Sequence, residues 1–302
     1  MNRDADAAWL ATELAGSRWR EFEWVAATGS TNADLSAAWR AGAPDGRVLL
    51  ADFQSAGRGR FDRAWVAPPG AMVALSVLVR PDCDDLSRWA WLPLVTGLAV
   101  AEALRETAGV PAAVKWPNDV LVGGKKICGI LTERVLGPGG AAVVIGIGVN
   151  TAMTPEQAPV EQATSLAMEG CSSSQPRQGS DPVLGGGDRE PVQRGAARGA
   201  AQGGRGAGDH QEDAPIDPRS LVVAVLRRLD AWYARWAAGE DLVAAYSAGC
   251  ATVARDVRVL VTPDDAVEGR AVGVDADGLL LVDTPYGRRS FAAGDVWHLR
   301  SR

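Results

Sequence analysis

The chain has 302 residues, of which 47% are hydrophobic and 23% are charged, and its formal net charge is −6. This length allows one large domain or two ordinary ones, and the acidic balance argues against a general binder of nucleic-acid phosphates. The first ten residues, MNRDADAAWL, lack the apolar core of a signal peptide, and the apolar run at 89–101 is too short to cross a bilayer. We therefore expect a cytoplasmic protein without a membrane partner.

Histidine and cysteine are too sparse for several common kinds of site. There are two histidines, His210 and His298, and the four cysteines are scattered without a Cys-x-x-Cys pair. A Ser-His-Asp triad, a disulfide framework, a structural zinc site and a histidine-ligated metal are therefore not expected. Any chemistry must rely on lysine, arginine, aspartate and backbone amides, and participation of Mg²⁺ stays open.

The N-terminal region predicts a helix at 4–15 and a strand at 22–26, which leaves no room for a helix-turn-helix module ahead of the strand and predicts no DNA partner. Thr31, with Asp34 three residues later, resembles a capping box and predicts the start of a second helix. A plain helix cap is one interpretation of this stretch. The other is that the helix start presents polar groups to a ligand, from Ser30, Thr31 and Asn32.

A glycine- and arginine-rich loop follows the strand predicted at 47–54. Arginine offers forked donors that suit carboxylate and phosphate groups, and glycine lets the backbone fold around an anion. The loop departs from the dinucleotide fingerprint at Asp62, where the last glycine would be, and it lacks the Gly-Lys-Ser/Thr of a P-loop. Its residues of interest are Gly57, Arg58, Gly59, Arg60, Arg63 and the aromatic Trp65.

The middle of the chain predicts alternating buried elements: an entirely apolar strand at 72–79, a long helix at 86–108, and strands at 112–116 and 141–150. On the last strand, Gly146 and Gly148 share one face, which indicates that a ligand or a helix packs closely there. Asn150 ends this strand.

The stretch KWPNDVLVGGKKICGILTE, residues 115–133, holds all three lysines of the chain. A pair of glycines predicts a hairpin turn, with 125–133 as the returning strand. Strict alternation would place Lys126 on the same face as Cys128 and Ile130, opposite Gly129. A surface hairpin with solvated lysines is the simpler interpretation. The functional one is that a compact ammonium is needed here.

The chain after residue 169 has three parts. The segment 170–215 is rich in glycine, serine, glutamine and arginine and predicts a disordered insertion. Helices predicted at 221–236 and 242–248 follow it, and then short strands separated by turns predict a small five-stranded β-barrel. We expect a first domain at 1–249 and a second at 250–302.

Together these motifs resemble the biotin protein ligases of bacteria. The matching pieces, in the order of that family, are Ser30–Asn32, Gln54–Trp65, Lys115–Asp119, Lys126–Leu131 with Glu133, Gly146–Asn150, Thr164–Leu166 and Gly294–Arg300. The resemblance implies an α+β catalytic domain, a mixed sheet flanked by helices, followed by an SH3-like barrel. It also implies the form without a DNA-binding domain. Asp62 and the segment 170–215 depart from the family pattern.

The resemblance further implies a two-step reaction. Biotin and MgATP would give biotinyl-5′-AMP and pyrophosphate, and a lysine of a biotin carboxyl carrier protein would then attack the adenylate. The catalytic residues would be Lys126, Arg60, Arg63 and Asp119. Biotin would be bound by Ser30, Thr31, Asn32, Gln54, Gly57, Arg58, Gly59, Arg60, Lys126 and Gly129. ATP would be bound by Arg58, Arg60, Arg63, Trp65, Asn118, Lys126 and Asn150, with Mg²⁺ held by its phosphates.

Two other functions stay open from the sequence. A lipoate or octanoate ligase uses the same adenylate chemistry, but it would have a more apolar pocket end and histidine motifs that this chain lacks. A non-catalytic biotin-binding protein is the third possibility. The sequence also leaves open whether the protein is a monomer or a homodimer, and which carboxylase carries the acceptor.

Overall fold

The computed structural model describes residues 2–65, 67–82, 85–171, 216–262 and 265–299. The helices are α1 (Arg3–Glu13), α2 (Thr31–Arg40), α3 (Leu92–Ala108), α4 (Pro218–Ala237) and α5 (Val243–Gly249). Strands of the first sheet are β1 (Glu21–Val25), β2 (Arg47–Ala51), β3 (Met72–Val79), β4 (Ala113–Lys115), β5 (Asp119–Val122), β6 (Lys125–Gly137) and β7 (Gly140–Asn150). Strands of the second are β8 (Asp256–Thr262), β9 (Asp265–Val274), β10 (Leu280–Thr284), β11 (Gly287–Phe291) and β12 (Asp295–His298). The predicted insertion at 170–215 lies almost wholly outside the described residues.

Strands β1 to β7 form one mixed sheet in the order β1-β2-β3-β7-β6-β5-β4. Only β1 and β2 run parallel among these neighbouring pairs. Both faces of the sheet are covered. Along β3 and β7, Val77 and Ile145 pack in the core that contains α3 and α4, while Leu78 and Val144 pack with α2. Burial on both sides explains why these strands have a continuous apolar sequence.

Strands β8 to β12 form a five-stranded antiparallel sheet in the order β11-β10-β9-β8-β12. This sheet is docked on the first domain through buried tryptophans: the indole N–H of Trp116 donates to the Gly278 carbonyl at 3.1 Å, and that of Trp91 donates to the Ala276 carbonyl at 2.7 Å. The predicted fold, a mixed sheet flanked by helices with a small C-terminal β unit, is confirmed. The boundary at 249/250 stays a prediction.

Several predicted element boundaries are wrong, including that of the strand expected at 47–54, which ends at Ala51. The helix expected at 86–108 is a 3₁₀ helix over Leu86–Trp91 followed by α3, whose first turn contains a proline. The cap of α2 is Ser30, not Thr31: Ser30 has extended backbone angles, and its hydroxyl accepts from the Ala33 N–H. The shift matters because it leaves the Thr31 side chain available for other contacts.

No helix among the described residues is long and apolar enough to span a membrane.

Candidate active site

A cavity of about 630 Å³ opens where the start of α2, the glycine-arginine loop (residues 57–65), the β5–β6 hairpin and β12 meet. This volume lies within the range of small-molecule sites. The lining includes most of the residues predicted from the sequence: Ser30, Thr31, Asn32, Gln54, Arg58, Gly59, Arg60, Arg63, Trp65, Asn118, Asp119, Lys126, Gly129 and Asn150.

Gly57 is the predicted residue that does not line the cavity. A Cβ on it would lie 2.4 Å from the Trp65 carbonyl oxygen. The Trp65 N–H donates to the Gly57 carbonyl at 2.9 Å, so this glycine lets the loop close upon itself.

The lysine hairpin differs from the strict alternation expected for it. Gly123 and Gly124 have φ of 57° and 82°, which fits the predicted tight turn. The register then shifts: Leu121 pairs with Lys126, but Val120 pairs with Cys128. The bulge puts Lys126 on the face of Gly129, because a Cβ at Gly129 would lie 3.2 Å from the Lys126 Nζ. Thus the predicted grouping of Lys126 with Cys128 and Ile130 is wrong, and the ammonium points into the cavity while those two side chains join the core.

Asp119 lies between two of the three lysines. Its carboxylate is 2.6 Å from the Lys126 Nζ and 3.9 Å from the Lys115 Nζ. Burial lowers the pKa of Lys115, and the nearby Lys126 charge acts in the same direction, while Asp119 opposes both. The arrangement holds two cations and one carboxylate at the hairpin end of the cavity.

Trp65 forms part of the cavity floor. Its indole occupies the space that side chains at Gly129 and Gly148 would need. A Cβ at Gly129 would lie 2.9 Å from the ring, and a Cβ at Gly148 would lie 2.4 Å from it. The Lys126 ammonium lies 5.1 Å from the ring centroid, within cation–π range. The predicted close approach beside Gly148 is therefore made by a side chain of the loop.

A buried polar network closes the deep side of the cavity. Gln54 Oε1 accepts from the Thr31 N–H at 2.8 Å and lies 3.0 Å from the Thr31 hydroxyl. The Ser76 hydroxyl lies 2.6 Å from the Thr31 hydroxyl and donates to Asn32 Oδ1 at 2.7 Å. Ser76 is 0% exposed. The expectation that residues 72–79 are entirely apolar misses this hydroxyl, which sits opposite Gly146 in the sheet.

Asn32 is held on several sides. Its Nδ2 donates to Glu133 Oε2 at 2.7 Å and to the Leu131 carbonyl at 3.2 Å. A Cβ at Gly146 would lie 2.3 Å from Asn32 Oδ1, so the glycine leaves room for the amide. Both amide donors of Asn32 are thus used within the protein, and Glu133 also pairs with Arg58 at 3.0 Å.

The other two loop arginines reach the C-terminal sheet. Arg60 Nη1 donates to Asn118 Oδ1 and to the Gly294 carbonyl, each at 3.2 Å. Arg63 forms an ion pair with Asp295. Burial lowers the pKa of Arg60, while the hydrogen bond to Asp295 raises the pKa of Arg63.

The two asparagines predicted to contact nucleotide also support the cavity wall. The Asn118 amide donates to the Ile130 carbonyl at 2.8 Å, across the hairpin. The Asn150 amide donates to the Thr164 carbonyl at 2.9 Å, and the Thr164 N–H donates to the Lys126 carbonyl at 2.9 Å. Asn150 therefore fixes the segment that flanks Lys126.

Sequence reasoning gave no role to several residues that the fold brings here. Ser76 had a signal, as the single polar residue in an apolar strand. Glu133, Asp295, Lys115 and His298 appeared within the motifs that resemble the family, but none was given a role. The Nε2 of His298 lies 3.1 Å from the Thr252 hydroxyl, and His298 lines the cavity.

Comparisons with known proteins identify the family. Residues 25–150 match the model of the Biotin/lipoate A/B protein ligase family, and residues 255–299 match the Biotin protein ligase C terminal domain. A biotin–[acetyl-CoA-carboxylase] ligase of Mycobacterium tuberculosis is 37% identical over 95% of this chain and 92% of that protein. One from Paracoccus denitrificans is 33% identical over 90% of this chain and 98% of its own length. The biotin protein ligase of Aquifex aeolicus, solved with biotin and ATP, shares the fold with a TM-score of 0.68. That alignment covers 94% of this chain and 100% of the Aquifex chain, at 23% identity. The chain belongs to the biotin protein ligase family.

Proposed function

We propose that this chain joins biotin to a lysine of a carrier protein in two steps within the cavity described above. In the first, a carboxylate oxygen of biotin bonds to the α-phosphorus of ATP and pyrophosphate leaves. In the second, the amine nitrogen of the acceptor lysine bonds to the acyl carbon of biotinyl-5′-AMP and AMP leaves. The observation that carries this proposal is that Lys126 and the arginines of the loop line one cavity although they come from separate segments.

The first step needs cations because it brings two anions together. A carboxylate and an α-phosphate repel each other unless positive groups surround them. Lys126 is assigned to bridge them. Its ammonium lines the cavity and already pairs with an anionic group there, the Asp119 carboxylate, at 2.6 Å. Arg60 and Arg63 are assigned to the phosphates, and the loop that carries them would keep water away from the adenylate.

The biotin ring is assigned to the buried polar end. A ureido group has donors and an acceptor that must be paired once they are buried. Ser30, Thr31, Gln54, Arg58, Gly59 and Gly129 all line the cavity, and Thr31 and Gln54 belong to the polar network. Asn32 acts mainly by holding the network, because its amide donors already bond Glu133 and the Leu131 carbonyl.

The nucleotide is assigned to Arg58, Trp65, Asn118 and Asn150, which line the same cavity. Trp65 offers an aromatic surface for adenine. Among the described residues no group of three or more His, Cys, Asp or Glu side chains could hold a metal ion. Asp119 and Asp295, which line the cavity, and Glu133, which bonds Asn32, each face a cation instead. The residues thus fit an Mg²⁺ that arrives on the ATP phosphates, where it would neutralise their charge.

Asp119 is assigned to the second step. The acceptor lysine enters as an ammonium and must lose a proton before its nitrogen can attack. A carboxylate at the hairpin end of the cavity would orient that ammonium and receive the proton. The acceptor is a biotin carboxyl carrier protein, and a cytoplasmic location fits that partner.

Acid-dependent exchange of pyrophosphate into ATP tests the first step. Exchange with biotin, but not with lipoate or octanoate, is expected, because the deep end of the cavity is polar. Exchange with lipoate alone would favour a lipoate or octanoate ligase. No exchange with any acid would favour a non-catalytic biotin-binding protein. Transfer of labelled biotin to a purified carrier domain tests the second step.

A further inference from the structure

The glycine-arginine loop is attached to the C-terminal sheet at one dipeptide. Arg60 donates to the carbonyl oxygen of Gly294, and Arg63 forms an ion pair with the carboxylate of Asp295. These two residues lead into β12, so neither contact involves the sheet that carries Lys126. The loop is thus held from the C-terminal sheet as well as from the first sheet, where Arg60 bonds Asn118 and Arg58 pairs with Glu133.

The loop has the geometry of a small closed unit. Arg58 and Ala64 form an antiparallel bridge, and the Gly59 N–H donates to the Arg63 carbonyl at 2.7 Å. At its tip Phe61 and Asp62 both have φ of 55°, which turns the chain back so that Arg60 and Arg63 reach the same dipeptide. A contact made by Arg63 is therefore transmitted to Arg60 through a short, hydrogen-bonded turn.

The ion pair is poorly explained by stability alone. The Arg63 side chain is 63% exposed and that of Asp295 is 24% exposed, and exposed pairs of this kind add little to the free energy of unfolding. The pair lies at the edge of the cavity, and Asp295 also acts electrostatically on Arg60. Its position favours a role in placing the loop.

We propose that Asp295 is a positioning residue for ligation, which sets the closed position of the glycine-arginine loop through Arg63 and so fixes where the Arg60 guanidinium lies in the cavity. The inference rests on the proposed function, since it assigns Arg60 to the phosphates. Asp295 acts through the arginines and does not touch the reacting atoms.

The test compares two carboxylates of the C-terminal sheet. Asp295→Asn is the test variant, and Asp283→Asn is the matched control, because Asp283 also pairs with an arginine, Arg288, at 2.6 Å but away from the cavity. Biotin-dependent pyrophosphate exchange is measured for each, together with the rate of tryptic cleavage within residues 58–63. Loss of a charge-assisted contact predicts a rise of about tenfold in the KM for biotin or ATP with Asp295→Asn and less than about twofold with Asp283→Asn. Tryptic cleavage within the loop should be faster only in Asp295→Asn.

Two further variants separate positioning from folding. Asp295→Glu keeps the charge, so its KM should be close to that of the unaltered protein. In the double variant, Asp295→Asn should add little to the rise in KM that Arg63→Ala causes alone. An Asp295→Asn protein that matches Asp283→Asn in both KM and cleavage would overturn the inference, as would full additivity with Arg63→Ala. If Asp295→Asn fails to fold, loop cleavage in Arg63→Ala and the KM of Asp295→Glu still decide. Positioning requires faster cleavage in Arg63→Ala, which loss of a phosphate contact alone would not cause, and a near-normal KM in Asp295→Glu. Absence of exchange in the unaltered protein would instead contradict the proposed function.

Discussion

The Lys126 ammonium lies 2.6 Å from the Asp119 carboxylate, and the two side chains meet across the β5–β6 hairpin. Each step of the proposed reaction draws on one member of this pair. Adenylation needs the ammonium to face a carboxylate and a phosphate, and transfer needs the carboxylate to face an acceptor lysine. Substitutions at the two positions should therefore affect different steps.

Lys126→Ala should reduce biotin-dependent pyrophosphate exchange by at least about 10²-fold, because the two reacting anions lose the cation between them. The thermal midpoint should change little. Lys125→Ala is the matched control, since Lys125 precedes Lys126 on the same strand but is exposed and does not line the cavity. Exchange at the level of the unaltered protein in Lys126→Ala would remove that residue from its assigned role.

Asp119→Asn should keep most of the exchange activity and lower biotin transfer to the carrier domain by about 10²-fold, the usual loss when a general base is removed. Single-turnover transfer from preformed biotinyl-5′-AMP isolates this step. If exchange and transfer fell together, Asp119 would be acting by holding Lys126 rather than by meeting the acceptor.

Ser76→Ala should lower the free energy of unfolding by about 1–3 kcal/mol, because it leaves Asn32 Oδ1 without its donor in a buried site. The KM for biotin should rise as the network that orders Thr31 and Asn32 loosens. Urea unfolding and exchange kinetics measure the two effects. Ser290→Ala, on an exposed stretch of β11, is the control and should change neither quantity. An unchanged KM in Ser76→Ala would separate the network from biotin binding.

Asp62→Val should disturb the loop, whereas Asp62→Gly should preserve it. Asp62 has φ of 55°, a left-handed conformation that aspartate tolerates and glycine adopts freely, but that costs a β-branched residue roughly 1–2 kcal/mol or more. The expected result is a higher KM for biotin in Asp62→Val alone. Equal kinetics in the two variants would show that the loop does not need this turn.

His298 should make the protein less stable in mild acid. Burial, with help from the Lys115 and Arg255 charges, lowers the pKa of His298 from 6.5 to about 4. Between these two pH values the unfolded chain binds more protons than the folded one, so stability rises as pH increases through this window and is lost as pH falls. The structure agrees, because the Thr252 hydroxyl accepts from the Trp116 N–H and can donate its own proton to a neutral ring nitrogen.

The thermal midpoint measured from pH 7 down to pH 4.5 tests this. His298→Gln should reduce the loss of stability over that interval, because glutamine keeps a polar contact without titrating. The same slope in both proteins would show that other groups account for the acid sensitivity.

The motifs that identify the family could be read from the sequence because they depend on local chemistry. The turn at Gly123 and Gly124 follows from glycine's tolerance of positive φ, and the confinement of lysine to one hairpin marked the site of the ammonium. The C-terminal strands were evident from regularly spaced turn residues. These features are set by residues close together in the chain, so no knowledge of the fold was needed.

The tertiary structure decided which way the side chains face and which distant residues meet. Strict alternation placed Lys126 on the wrong face, because the bulge at Ile127 depends on how two strands pair and not on either strand alone. The contact of Ser76 with Asn32, and that of Asp295 with Arg63, join residues far apart in the sequence. Side-chain direction and long-range pairing arise from packing of whole elements, which a linear pattern does not contain.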